Sequence, residues 1–172
     1  MPSNAHGLTE PKGIRVSTVS CGINSPKGER KDLVVVAAGK PCSAAGVFTT
    51  NKVKAAPVVL SQAHVKNGMA QAIIVNSGNA NACNGSLGMT DAESMVSETA
   101  AGLQIDKEMV LIASTGVIGR PMPMPCIQDG IQEAVGRLGS EMDNDAAEAI
   151  MTTDTVPKSH TVQSVVGDST VT

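Results

Sequence analysis

The sequence predicts a mixed α/β fold in which strands and helices pack in layers. Short, continuous apolar runs recur along the chain, as in strands that are buried on both faces. Segments with apolar residues at helical spacing lie between those runs, and alternating segments with turn signals flank them. This alternation of elements is typical of a layered domain. A composition of 41% hydrophobic and 17% charged residues agrees with a chain that folds.

The predicted strands follow from two kinds of pattern. Residues 14–20 alternate between apolar and polar side chains, which predicts a half-buried strand. Continuous apolar runs predict buried strands over residues 33–38, 45–50, 72–75 and 109–113. A two-residue turn at Gly167-Asp168 predicts a hairpin between residues 158–166 and 169–172. The second strand of that hairpin stops in mid-pattern, so we expect the chain to continue as part of a larger fold.

The predicted helices rest on end signals and on apolar stripes. A short helix is expected over residues 61–66, closed by Asn67-Gly68. Thr90 and Glu93 have the spacing of a capping box, which predicts a helix beginning there. Pro125 predicts the first turn of a third helix. The stripes of these last two helices are Ala92, Met95, Val96, Ala100 and Leu103, then Ile127, Ile131, Ala134, Val135 and Leu138. Asp143 or Asn144 is expected to cap a last helix.

Length and composition restrict the domain plan and the class of partner. A length of 172 residues fits one domain, which we expect over 14–172 behind a loose arm at 1–13. The formal net charge is −3, and the chain has one Phe but no Tyr or Trp. Nucleic-acid binding normally uses a basic face or stacking aromatic residues. We therefore expect no nucleic-acid partner.

The cysteines and the apolar runs restrict the cellular setting. The four cysteines are widely and irregularly spaced, with no C-x-x-C pair and no histidine cluster beside them, so we expect no metal site. The polar start of the chain does not fit a signal peptide, and no apolar run reaches membrane-spanning length. A cytoplasmic protein with reduced thiols and no membrane association is the expectation.

The stretch that could carry chemistry lies at the end of the strand predicted over 109–113. Ser114, Thr115 and Gly116 follow it directly. In α/β proteins, ligands and catalytic groups gather at the carboxyl ends of buried strands. A hydroxyl beside an accessible backbone N–H could stabilise a developing oxyanion. The alternative is an ordinary turn after a strand.

Other polar stretches also allow two interpretations. Asn76 to Asn81 could form a polar cradle that orients a ligand or a loop, or a turn bonded to itself. The hydroxyls and carboxylate of residues 151–155 could form a substrate site or simply end a helix. Lys52 and Lys54 are interpreted as part of a solvated face. Cys83 and Cys126 are interpreted as small buried apolar residues rather than nucleophiles.

Four of these stretches together resemble the ornithine acetyltransferase family of arginine biosynthesis. They are residues 45–51 (AGVFTTN), 76–83 (NSGNANAC), 114–119 (STGVIG) and 150–155 (IMTTDT), in the order that the family has. The family often has Thr where this chain has Asn84. Each motif is short, but four in order, over most of residues 14–172, are specific.

The resemblance implies an acyltransferase that moves an acetyl group from N-acetylornithine to glutamate, and some members accept acetyl-CoA. The family's precursor cuts itself before a threonine. That threonine becomes the nucleophile at the start of a β chain, and its own amine can act as base. This chain lacks the cleavage motif and resembles the α chain. The implied fold is an αββα sandwich shared by both chains, of the N-terminal-nucleophile kind, assembled as an α2β2 heterotetramer without a cofactor.

The resemblance also assigns roles to residues by motif match. Thr115 and Gly116 fall on the family's oxyanion-hole positions, and Thr152 falls on a substrate-binding position. Asn76 and Asn79 are expected to support the loop beside them. The nucleophile and the binding lysine of the family lie outside this chain. A self-processing aminopeptidase of related fold and a non-catalytic small-molecule-binding subunit remain as alternative functions.

Overall fold

The computed structural model describes residues 7–139 and 144–172, the second range with side chains from residue 146 onward. The expected cap at Asp143 and the first six residues of the expected arm lie outside the described residues. In the described ranges, none of the helices combines the length and the apolar character that crossing a membrane requires.

Four strands form one mixed sheet in chain order. The strands are β1 (Ile14–Val19), β2 (Leu33–Ser43), β3 (Met69–Asn79) and β4 (Val110–Val117). The pairs β1–β2 and β2–β3 are antiparallel, whereas β3 and β4 are parallel. A parallel pair needs a crossover connection, and a long helix between β3 and β4 provides it. The α/β fold class predicted from the sequence is confirmed.

Among the described residues, the other elements are four α-helices, two short 3₁₀-helices and a hairpin. The α-helices are α1 (Ala56–His64), α2 (Gly85–Leu103), α3 (Met124–Gly136) and α4 (Asn144–Ala149). The 3₁₀-helices are Val65–Asn67 and Lys107–Met109, and the hairpin strands are β5 (Ser164–Val166) and β6 (Ser169–Val171). The hairpin has the predicted two-residue turn, but its strands are shorter than predicted. Pro57 and Pro125 lie in the first turns of α1 and α3, where a missing N–H costs no helical hydrogen bond.

The main core lies between one face of the sheet and the helices. Ile74 of β3, Met95 of α2, and Ile127 and Ile131 of α3 are at most 1% exposed. Burying a side chain of this size stabilises a fold by roughly 1.5–3 kcal/mol. A smaller cluster lies on the opposite face, where α4 packs against β1 and β2. The two faces of the sheet therefore differ, and the one opposite the main core is only partly covered.

One strand prediction is wrong. Residues 45–50 form no strand, because β2 extends through an irregular pairing between Ala37 and Cys42 and the chain leaves the sheet after Ser43. Val47, in that segment, is fully exposed. The helix expected over residues 61–66 begins earlier, because Pro57 lies in the first turn of α1 and residues 58–60 are helical.

The capping-box prediction is also wrong. Helix α2 begins at Gly85, so Thr90 lies inside it and donates its hydroxyl proton to the carbonyl of Ser86, at 3.2 Å. The predicted apolar stripe is nevertheless buried, from Ala92 to Ala100. The sequence pattern placed the start of α2 too late, because glycines such as Gly85 and Gly88 are unfavourable in helices. Gly88 is nevertheless inside α2, where a larger residue would not fit: a Cβ there would lie 2.6 Å from the Asn81 side-chain oxygen.

Candidate functional site

The polar ends of β3 and β4 lie side by side. The predicted ends of these strands were too early, since β3 continues to Asn79 and β4 to Val117. Their parallel register places Ser77 opposite Thr115 and Gly78 opposite Gly116. Two motifs that are distant in sequence therefore meet at the carboxyl ends of adjacent strands, where ligand sites of α/β proteins tend to form.

Thr115 and Ser114 use opposite faces of β4. The Ser114 hydroxyl donates to Oδ1 of Asn76 at 2.6 Å, and Asn76 is 1% exposed. Because successive strand residues point to opposite faces, Thr115 faces the side of the sheet away from α2 and α3. Thr115 is half-buried. Its hydroxyl is therefore on the more open face, and that of Ser114 is held inside.

Gly116 occupies a position that only glycine fits. Its φ is +134°, and a Cβ there would lie 2.3 Å from the carbonyl carbon of Gly78 and 2.5 Å from the backbone nitrogen of Asn79. Gly78 also has a positive φ, of +102°. The two strands thus approach each other through bare backbone, and Gly116 must remain a glycine.

The outer edge of β4 is covered by a helix instead of a strand. Ser61 of α1 donates to the carbonyl oxygen of Ile112 at 2.7 Å and accepts from the N–H of Ile112 at 2.8 Å. One turn further along α1, Nδ1 of His64 lies 2.8 Å from the carbonyl oxygen of Val110 and donates to it in the Nδ1–H tautomer. Both backbone groups of Ile112 are therefore directed away from β3.

This edge arrangement fixes the direction of the Gly116 N–H. The two backbone groups of a strand residue point to the same side, and successive residues alternate. The carbonyl of Val117 points toward β3, where it accepts from Ala80 at 2.9 Å. Ile112 on the outer side and Val117 on the inner side give one consistent alternation, which directs the Gly116 N–H to the outer edge.

Asn76 and Asn79 hold the segment on both sides of Gly116. Asn76 accepts from Ser114 and donates to the carbonyl of Asn79 at 2.8 Å. Asn79 donates to the carbonyls of Arg120 and Pro121, at 3.2 and 3.1 Å. Both side-chain amides are buried and hydrogen-bonded to protein groups. This arrangement favours a role in supporting the loop over direct contact with a ligand.

Thr152 lies on the same face of the sheet as Thr115. It lines a cavity of about 110 Å³ together with Ser77, Gly78 and Asp32. Ser77 is also the cross-strand neighbour of Thr115. Thr115 and the cavity that Thr152 lines therefore share Ser77 as a neighbour. Asp154, two residues further on, pairs with Lys158 at 2.5 Å, and this hydrogen bond lowers the pKa of its carboxyl.

The remaining candidates from the sequence are two lysines and two cysteines. Lys52 is exposed, as a solvated face predicts, whereas Lys54 is half-buried and its Nζ donates to the Gln62 side chain at 3.4 Å. Cys83 is exposed, so its interpretation as a buried residue is wrong, whereas Cys126 is half-buried and burial raises the pKa of its thiol. Cys83 lies on the connection into α2, whose first turn leaves its side chain outside the core.

Sequence reasoning missed Ser61 and Asp32. Ser61 is in an amphipathic helix, where a lone serine gives no signal, and its partner Ile112 is 51 residues away. Asp32 is 3% exposed, and its carboxylate accepts from the N–H groups of Cys21, Gly22 and Ile23 at 2.6, 3.0 and 2.7 Å. The sequence held one hint: Asp32 directly precedes the apolar run that begins at Leu33. An acidic residue at that place could have been predicted to be buried and hydrogen-bonded.

Comparison with known proteins places these motifs in one family. The ArgJ family model matches residues 15–172. The arginine biosynthesis bifunctional protein ArgJ of Symbiobacterium thermophilum is 47% identical over 168 residues, covering 98% of this chain. The match covers 42% of that relative, so the chain spans about two fifths of its length.

Solved structures agree with the sequence relatives. The crystal structure of ArgJ from Bacillus halodurans matches with a TM-score of 0.83 at 37% identity, over 97% of this chain and 86% of that one. The structure of ornithine acetyltransferase from Mycobacterium tuberculosis, complexed with ornithine, matches with a TM-score of 0.83 at 38% identity, over 89% and 82%. The layered fold expected from the motifs is thereby confirmed, and the chain belongs to the ArgJ family.

Proposed function

We propose that the protein containing this chain transfers an acetyl group from N2-acetyl-L-ornithine to L-glutamate, giving L-ornithine and N-acetyl-L-glutamate. The observation that carries the proposal is the arrangement of Thr115 and Gly116 at the carboxyl end of β4. There, the Thr115 hydroxyl is on the less covered face of the sheet, and strand alternation directs the Gly116 N–H to the outer edge of β4. Two such donors could assist any acyl transfer. Because the chain belongs to the ArgJ family, we propose transfer of an acetyl group.

The proposed reaction has two halves. A threonine hydroxyl, from a part of the protein outside these residues, attacks the acetyl carbonyl of N-acetylornithine while its proton passes to the threonine's own α-amine. The tetrahedral intermediate collapses with expulsion of ornithine, whose nitrogen takes up that proton. The amine of glutamate then attacks the acetyl ester, and the threonine hydroxyl is regenerated.

Thr115 and Gly116 act on the charge that appears in both halves. Each attack converts a carbonyl oxygen into an oxyanion, and preorganised donors stabilise it without having to reorient. The Thr115 hydroxyl and the Gly116 N–H are these donors. Asn76 and Asn79 keep the segment in place through their bonds to Ser114, Arg120 and Pro121. Thr152 binds substrate from the cavity beside Ser77.

The proposal includes a second chain from the same precursor. Self-cleavage would expose the nucleophilic threonine, and two copies of each chain would form an α2β2 assembly. Hairpin β5–β6 supports a covering partner, because Val165, Val166 and Val171 are each more than half exposed. Acetyl-CoA is included as an alternative donor, and no cofactor takes part. The location is the cytoplasm, in keeping with four free thiols.

One set of measurements on the protein from the whole reading frame tests this function. Intact masses are expected to show two chains, the second beginning with threonine and carrying one extra acetyl group after brief incubation with N-acetylornithine. Ornithine release is expected to depend on glutamate. Release at the same rate without glutamate would identify a hydrolase, and the absence of any acetylated chain would exclude the covalent mechanism.

A further inference from the structure

Asp32 connects the loop between β1 and β2 to the site through a dense set of bonds. Its buried carboxylate accepts three consecutive backbone N–H groups, from Cys21 to Ile23. Such charge-assisted bonds are roughly twice as strong as neutral ones. A carboxylate that is buried and fully bonded in this way holds the loop in one conformation and is not available to a substrate.

The backbone of Asp32 is fixed as firmly as its side chain. Its N–H donates to the carbonyl of Val19 at 2.9 Å, and its carbonyl accepts from the N–H of Ser77 at 2.8 Å. Ser77 is the cross-strand partner of Thr115. Asp32 therefore joins the start of the loop, the loop itself and the strand beside the proposed oxyanion donors.

The loop that Asp32 holds packs directly behind Gly78. A Cβ at Gly78 would lie 2.9 Å from Cβ of Asn24 and 3.2 Å from Cγ2 of Ile23, and Gly78 in turn lies against Gly116. The loop, Gly78 and Gly116 thus form three successive layers in contact. A shift of the loop would be transmitted to Gly116, because none of these contacts has room to absorb it.

We propose that Asp32 is a positioning residue for acyl transfer, which fixes the 21–24 loop as the support on which the Gly78–Gly116 contact rests. The inference rests on the proposed role of Thr115 and Gly116 as oxyanion donors. Asp32 lines the cavity that holds Thr152, but both of its carboxylate oxygens accept loop N–H groups, so we assign it no hydrogen bond to the substrate. It acts on the rate of the chemical step by keeping the Gly116 N–H in the place where the oxyanion forms.

The test compares variants of the protein from the whole reading frame in steady-state assays with N-acetylornithine and glutamate. Asp32→Asn keeps one acceptor oxygen, and Asp32→Ala keeps none. We expect kcat to fall roughly 10- to 100-fold, more for alanine than for asparagine, because a misplacement of about 1 Å costs on the order of 10²-fold. KM for N-acetylornithine is expected to stay within about twofold, since substrate contacts are unchanged.

Two further variants serve as controls. Asp91→Asn changes another buried carboxylate, on α2, and is expected to leave kcat and KM unchanged. Ile23→Ala removes a contact to Gly78 but keeps the bonds of Asp32, so a smaller loss of kcat is expected. If the Asp32 variants do not fold, the kcat of Ile23→Ala tests the positioning role instead.

The possible results separate this inference from the proposed function. If Thr115→Ala is slow but the Asp32 variants and Ile23→Ala keep the parent kcat, the positioning role is overturned and the oxyanion hole stands. A rise in KM without a fall in kcat, or an equal loss in Asp91→Asn, also overturns it. If Thr115→Ala retains the parent rate, the proposed hole and the positioning role fail together.

Discussion

The backbone of Gly116 contacts that of Gly78 so closely that a Cβ at Gly116 would lie 2.3 Å from the Gly78 carbonyl carbon. This contact brings the two glycine-bearing motifs of the sequence into one structure. The parallel register of β3 and β4 places the neighbouring Thr115 opposite Ser77.

Gly116→Ala is expected to abolish activity and to destabilise the protein strongly. Gly119→Ala is the matched control, since Gly119 also has a positive φ but no atom within 4 Å of a Cβ. Both changes put a side chain at a positive φ, which costs on the order of 1–3 kcal/mol, and only Gly116→Ala adds the clash. Thermal unfolding and kcat of both variants check this. Equal effects at the two positions would contradict the importance of the contact.

Thr115→Ala is expected to lower kcat by about 10²–10³-fold, because the loss of one oxyanion donor costs ~2.7–4 kcal/mol. KM should change much less, since the donor acts mainly in the transition state. Thr115→Ser keeps the hydroxyl and should keep much of the activity. The measurement is steady-state turnover of N-acetylornithine by folded, fully processed enzyme. Turnover by Thr115→Ala near the parent rate would show that another group stabilises the oxyanion.

Thr152→Ala is expected to raise KM for N-acetylornithine several-fold, on the order of one lost hydrogen bond of 0.5–1.5 kcal/mol. The control is Thr153→Ala. Thr153 is exposed like Thr152 but is not among the residues that line the cavity. Initial rates over a range of substrate concentrations give both KM values. Similar values for the two variants would remove Thr152 from the substrate site.

Ser61→Ala is expected to reduce stability by on the order of 1–3 kcal/mol, because it leaves the N–H and carbonyl of Ile112 without their helical partner. Ser97→Ala, at an exposed position of α2, should stay within about 0.5 kcal/mol of the parent. Denaturant unfolding of the two variants, compared with the parent protein, measures the difference. If Ser61→Ala matches Ser97→Ala, water satisfies the edge of β4 as well as the helix does.

Asp91→Asn is expected to stabilise the protein at neutral pH. Burial raises the pKa of the Asp91 carboxyl above its unfolded value, so ionisation costs more in the folded state. That cost is fully present above the folded-state pKa and absent below the unfolded pKa of about 3.9. The gain in Tm should therefore be present at pH 7 and vanish as the pH falls to about 4. A gain that is equal at both pH values would contradict this origin.

Much of the site could be predicted from the sequence because its parts are local. An apolar run followed by Ser114-Thr115-Gly116 indicates a strand end with a hydroxyl and a glycine, and the structure places them so. Alternation along a strand was enough to separate Ser114 from Thr115. The roles of Thr115, Gly116 and Thr152 stay predictions, since the geometry supports them without testing them.

The parts that could not be predicted depend on partners far away in sequence. Residues 45–50 have the composition of a strand but gain no neighbour in the sheet. Thr90 has the spacing of a cap, yet the contacts of Gly88 with Asn81 determine where α2 begins. The bonds of Asp32 and of Ser61 join segments that no local pattern relates. Tertiary contacts decided each of these cases.

The helix beside β4 also bears on association between molecules. An uncovered edge strand offers a row of unpaired backbone groups to any other strand, which is a route to aggregation. Ser61 and His64 occupy that row at Ile112 and Val110, so a foreign strand would have to displace α1 before it could extend along β4. Gly116 lies beyond these two contacts, toward the carboxyl end of β4. A site that uses an N–H on a sheet edge can thus exist where the same edge is closed to foreign strands at Val110 and Ile112.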